Sequence, residues 1–134
     1  MNILFICRHN RFRSRIAECY FKEINRNQLI HVKSAGIIRG TYPLDYNQVK
    51  IAKQLGVNLQ GKPAGMTSEL LKWQNMIVIV ADDVPQSIFA KNNEYGKKLL
   101  VWKIKDAHGN DDKDVKRAIT QIKKKVENLA KELE

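Results

Sequence analysis

The sequence predicts an α/β domain: a four-stranded, parallel, doubly wound sheet with helices on both faces, hence three layers. Three observations carry that expectation. Four short, largely apolar runs have strand length: Asn2 to Cys7, His31 to Ala35, Met76 to Ala81 and Leu99 to Ile104. Segments with helical spacing separate them, and such alternation implies parallel pairing with right-handed crossovers. No repeat, low-complexity tract or linker splits the 134 residues, so one domain is expected over 1–134.

The elements follow in order. The first strand is apolar nearly throughout, as a strand buried on both faces should be. A helix from about Ser14 to Asn25 puts Ile16, Ala17, Tyr20, Phe21 and Ile24 on one face. The second strand ends at Gly36. A loop over Ile37 to Leu44 contains the turn formers Gly40 and Pro43. Asp45 suits the N-cap of a second helix, with Val49, Ala52 and Leu55 inward and Gly56 as its stop. Asn58 to Met66 reads as loop. Thr67 or Ser68 caps a short helix through Trp73. After the third strand, Asp82-Asp83-Val84-Pro85 opens a further helix, since proline is tolerated in a first turn. The loop Lys105 to Asp112 leads into a last helix, with Val115, Ile119, Ile122, Val126, Leu129 and Leu133 on one stripe.

Composition narrows the partners. The apolar share of 43% and charged share of 28% are ordinary. The net charge of +10 is not, and it points to an anion: a phosphorylated substrate, nucleic acid or a membrane surface. Most of the 17 lysines read more simply as a solvated surface. The apolar start is too short for a signal peptide, and no run approaches a membrane span. The expectation is a cytoplasmic monomer with reduced thiols and no membrane partner. Two cysteines and three scattered histidines show no zinc-ligand spacing, so no metal site is expected. Cys19 reads as core.

The chemistry gathers where the first strand gives way to the first helix. In such sheets ligands bind beyond the carboxyl ends of the strands. Cys7 stands at one such end. The loop Arg8, His9, Asn10, Arg11, Phe12 leads to Arg13 and Ser14 at a helix N-terminus, whose free N–H groups and dipole suit a phosphate and favour a thiolate. Arg13 offers a planar fork for two phosphate oxygens. Ser14 can donate a hydrogen bond to the thiolate. The competing reading of the same spacing is a buried strand-end cysteine and a solvated arginine.

The stretch resembles the signature of the low-molecular-weight protein tyrosine phosphatases, a family shared with arsenate reductases and protein-arginine phosphatases. That signature is a strand, a loop bearing cysteine, glycine, asparagine, a second cysteine, arginine, serine and proline, then a helix with Ala-Glu. Cys7, Asn10, Arg13, Ser14, Ala17 and Glu18 stand at matching places. Ser34-Ala35-Gly36, then Pro43, Asp45 and Leu55-Gly56-Val57, extend the likeness along the chain. Asp106 falls where the family has an Asp-Pro general acid.

The resemblance implies roles. Cys7 is the nucleophile, Arg13 the oxyanion clamp and Asp106 the general acid and then base. Asn10, Ser14 and Ser34 support the loop. No cofactor or metal is implied, because arginine and the amide cradle supply the electrostatics. The implied activity is hydrolysis of phosphotyrosine, or another phosphorylated protein residue, through a phosphocysteine. A small aryl phosphate would also be a substrate, and inorganic phosphate or another oxyanion a ligand of the loop. Phosphoarginine hydrolysis, or a weakly active anion- or nucleic-acid-binding module, are the alternatives. Nucleic acid is not favoured, for want of a basic stripe interleaved with aromatics. Arsenate reduction is disfavoured, because no cysteine follows Cys19 to relay electrons.

Several positions depart from the family. His9 replaces the loop glycine, where a positive φ is expected. Phe12 replaces the second cysteine, Arg15 the proline and Lys62 a histidine. Ala107 replaces the proline after the acid, which leaves that loop less rigid. Arg11, Arg15, Tyr42 and His108 are the expected substrate rim.

Overall fold

The computed structural model describes residues 1–38 and 40–134; Arg39, inside the loop expected over Ile37 to Leu44, lies outside them. Four strands, β1 (Asn2–Cys7), β2 (His31–Gly36), β3 (Met76–Val80) and β4 (Lys98–Trp102), form one sheet in the order β2-β1-β3-β4. Every pairing is parallel. β1 therefore lies between two neighbours, and the strand order turns back beside it. Its residues Ile3 to Ile6 are wholly buried, which explains their unbroken apolar character.

Helices cover both faces. On one, α1 (Arg13–Ile24), α2 (Tyr46–Gln54) and α4 (Asp112–Glu132) enclose the larger core. Phe5 packs there against Phe21 and Trp102, with ring centroids 6.1 and 5.9 Å apart. α4 buries Val115, Ala118, Ile119, Ile122, Val126 and Leu129, the stripe its spacing predicts. Burying one such side chain contributes roughly 1.5–3 kcal/mol. On the other face, α3 (Ser68–Trp73) and a 3₁₀ segment (Gln86–Tyr95) pack Leu70, Leu71 and Phe89 onto Leu4, Ile6, Ile77 and Ile79. Among the described residues no helix is long and apolar enough to cross a membrane.

Local differences from the sequence reading have physical causes. The segment after Pro85 is a 3₁₀ turn kinked at Phe89, and it ends at left-handed Gly96. In α2 the buried residues are Gln48, Ile51 and Ala52, while Val49 and Leu55 are only half-buried. Capping fixes the starts of three helices. Asp45 accepts the Gln48 N–H, Thr67 the Leu70 N–H and Asp111 the Asp114 N–H.

Candidate active site

β1 delivers Cys7 to the carboxyl edge of the sheet, where the order turns back between β1 and β3. Residues 8–12 then cross to Arg13, the first residue of α1. Unlike the other three helices, α1 has no side-chain cap: its N-cap is Phe12, which makes no side-chain hydrogen bond. Its first-turn N–H groups stay available to an anion.

Cys7 Sγ accepts the Asn10 N–H at 3.3 Å and lies 2.9 Å from Ser14 Oγ. Asn10 is fully buried and is the hub of this loop. Its Nδ2 donates to Ser14 Oγ at 2.7 Å and to Ser34 Oγ at 2.9 Å. Its Oδ1 accepts the Ala64 N–H at 2.9 Å. Ser34 in turn donates to Glu18 Oε1 at 2.6 Å. Glu18 is held by Lys22 at 2.7 Å.

The expectation of a positive φ at His9 is corrected. The left-handed residue is Asn10, with φ of 58°, and among the described residues it alone has this conformation without being glycine. Asparagine tolerates that region, and here its carboxamide is fully bonded. Close backbone approach comes instead from glycines outside the loop. A Cβ on Gly36 would sit 2.7 Å from the His9 carbonyl carbon, and one on Gly40 2.8 Å from its oxygen.

Arg13 is buried at 2% exposure. It donates through Nη1 to Ile104 O at 3.0 Å. Its Nη2 lies 2.9 Å from Asp83, its Nη1 3.7 Å from Asp82 and its Nε 3.6 Å from Asp106. In the sequence Asp82 and Asp83 suggest only a helix start. Two adjacent carboxylates directly after β3, on the edge that holds Cys7, were the signal for a larger role.

A cleft of about 220 Å³ brings Cys7, Arg13 and Asp106 together, with His9, Arg11, Phe12 and His108 around them. Asp45, the N-cap of α2, and Gln48 within it also line the cleft, and no spacing in the sequence marks them for this. Arg11 donates twice to Pro43 O, at 3.0 and 2.7 Å, and lies 5.7 Å over the Tyr42 ring. Tyr42 is 70% exposed and stands beside the cleft rather than in its wall. Arg8 is exposed and does not line it.

Arg15 does not belong to this rim. It reaches Glu18 at 3.7 Å and the Lys62 carbonyl, beside a second hollow that it shares with Cys19. Cys19 is 7% exposed and packs in the larger core, and burial pushes its thiol up from the ordinary range. Among the described residues no group of three or more His, Cys, Asp or Glu side chains is placed to hold a metal ion.

Residues 2–134 match a family model described as low molecular weight phosphotyrosine protein phosphatase. No curated protein sequence matches the chain. Among solved structures it is similar to the YwlE arginine phosphatase of Geobacillus stearothermophilus, at 19% identity and a TM-score of 0.83, covering 98% of this chain and 92% of that one. It is similar to the tyrosine phosphatase Wzb of Escherichia coli K30, solved with sulphate, at 20% identity and 0.78, covering 99% and 98%. It is also similar to an arsenate reductase of Archaeoglobus fulgidus, at 23% and 0.73, covering 96% and 98%. These likenesses show a shared fold. The family match spans nearly the whole sequence, and the chain belongs to the low molecular weight phosphotyrosine protein phosphatases.

Proposed function

We propose that this chain hydrolyses phosphotyrosine in proteins through a phosphocysteine on Cys7, with Arg13 as oxyanion clamp and Asp106 as general acid and then base. The observation that supports this best is that Cys7, Arg13 and Asp106 all open onto one cleft. In the first step Cys7 Sγ attacks phosphorus in line and the phosphorus–oxygen bond to the leaving group breaks. Asp106 gives its proton to the departing phenolic oxygen. Arg13 and the uncapped N–H groups of α1 neutralise the equatorial oxygens. In the second step water attacks phosphorus and loses its proton to Asp106. The thiolate leaves, and inorganic phosphate is released. Ser14 and the Asn10 N–H stabilise the sulfur as it departs.

Arg11 favours a neutral leaving group. Its guanidinium is fixed on the rim by Pro43 O, and it repels the cationic guanidinium of phosphoarginine. One observation favours phosphoarginine as a second reading: the Asp45 carboxylate lines the same cleft and could pair with a guanidinium.

The test is hydrolysis of an aryl phosphate, a phosphotyrosine peptide and a phosphoarginine peptide by wild type, Cys7→Ser and Asp106→Asn. Cleavage of the first two by wild type, lost in Cys7→Ser and cut about 100-fold in Asp106→Asn on the peptide, supports the proposal. Activity surviving Cys7→Ser contradicts it. No hydrolysis at all, with steeply salt-dependent nucleic-acid binding, would make the loop an anion-binding module instead.

A further inference from the structure

The segment that carries Asp106 is held by side chains from two other elements. Four of its carbonyls are taken. Arg117 of α4 donates to Lys105 O at 3.0 Å and to Asp106 O at 3.3 Å. Gln48 of α2 donates to Ala107 O at 3.2 Å. Asn47 of α2 donates to Gly109 O at 2.6 Å. The donors are themselves fixed. Arg117 pairs with Asp114 at 2.8 Å and bonds Gln121 at 3.1 Å, Asn47 bonds Asp112 at 2.7 Å, and Gln48 is 6% exposed.

Ala107 stands where the family resemblance places a proline, and the sequence reading expected a looser loop for that reason. Other contacts act against that. Ala107 is buried, and its N–H donates to Asp106 Oδ1 at 3.0 Å, a bond that proline cannot make. Where the family has a ring within the backbone, this segment has hydrogen bonds from outside it. The loop also fits α2 closely: a Cβ on Gly109 would lie 2.5 Å from the Asp45 carboxylate.

We infer that Gln48 and Arg117 are positioning residues for the general acid. From two different helices they hold the backbone that aims the Asp106 carboxyl at the leaving oxygen. The inference rests on the reading of Asp106 as that acid. A displacement of about 1 Å at a catalytic group costs on the order of 100-fold.

The test compares two substrates that differ in their need for a proton. Phenyl phosphate has a poor leaving group and needs the acid, whereas dinitrophenyl phosphate departs largely without it. The quantity read is kcat/KM, which covers steps only up to loss of the leaving group. The variants are Gln48→Met, which keeps side-chain length without a donor, Arg117→Met, and Arg117→Lys, with Asp106→Asn alongside. Gln48→Met and Arg117→Met are expected to lose about tenfold or more on phenyl phosphate and less than about twofold on dinitrophenyl phosphate. Arg117→Lys, which keeps the charge and a donor group but not the two-pronged fork, is expected to fall between wild type and Arg117→Met. In the variants of Arg117, which lies outside the cleft wall, inhibition by inorganic phosphate stays unchanged. Equal losses on both substrates, or none on phenyl phosphate, overturn the inference while the role of Asp106 stands. If Asp106→Asn itself fails to separate the substrates, the proposed function falls with it.

Discussion

Ser14 Oγ stands 2.9 Å from the Cys7 sulfur, with the Asn10 carboxamide already donating to it from 2.7 Å. Asn10 thereby occupies an acceptor site on Ser14 and leaves its hydroxyl hydrogen free to turn to the sulfur. A donor fixed in this way stabilises a sulfur that carries charge, both before attack and on departure. Ser14→Ala removes one charge-assisted hydrogen bond, worth roughly 1.5–3 kcal/mol, so turnover should fall by about 10–100-fold. Single-turnover kinetics check this. The loss is expected mainly in hydrolysis of the intermediate, where the sulfur is the leaving group.

Gly36 explains why the loop can lie so close to β2. An added methyl would meet the His9 carbonyl carbon and Ile38 O at 2.7 Å, and both are backbone atoms that cannot swing aside. Gly36→Ala should cost about 2–3 kcal/mol by overpacking and weaken oxyanion binding as the loop shifts. Urea denaturation and phosphate inhibition measure the two effects.

Tyr20 links α1 to α4 through a 2.5 Å hydrogen bond to Glu127. Burial first, then Glu127, pushes its hydroxyl up to about 12 from an ordinary value of 10. Folding thus favours the neutral phenol. The stability this contributes is full below pH 10 and is lost as pH rises through about 12. At pH 7 wild type should exceed Tyr20→Phe by about 1 kcal/mol. Urea midpoints across the alkaline range should show that margin closing.

The two thiols should react differently. Both are buried, but the Cys7 sulfur faces the cleft with Ser14 Oγ and the Asn10 N–H beside it, whereas burial pushes the Cys19 thiol up. Iodoacetamide at neutral pH should label Cys7 alone, and phosphate should protect it. Mass spectrometry of the labelled peptides decides. Labelling of Cys19 first would place reactivity on the wrong residue.

Much of the fold was legible because it rests on period and length. β1 and β3 read as unbroken apolar runs since they are the two inner strands, and the stripe of α4 matches its buried face. The loop from Cys7 to Ser14 stands out in the sequence because the proposed chemistry needs fixed residue types at fixed spacing. The rim was less so. Arg13 and Arg15 are neighbours in sequence, yet two residues apart on a helix point to opposite sides, so Arg15 leaves the cleft. That much the helical period could have shown. Asn47, Gln48 and Arg117 were beyond reach. They act by donating to backbone carbonyls, which any amide or guanidinium can do, and no spacing marks the ones that do so. Asn10 took the left-handed turn expected of His9 because its side chain, unlike that of histidine, bonds three partners around it.

The covalent step can be tested directly by acid-quenching Asp106→Asn during turnover of dinitrophenyl phosphate. With its leaving group needing little acid and its water lacking a base, the intermediate should accumulate. Peptide mass spectrometry should then find one phosphoryl group on the peptide bearing Cys7, absent from Cys7→Ala. Steady release of phosphate by Cys7→Ala, or a phosphoryl group on any other residue, would contradict Cys7 as the nucleophile.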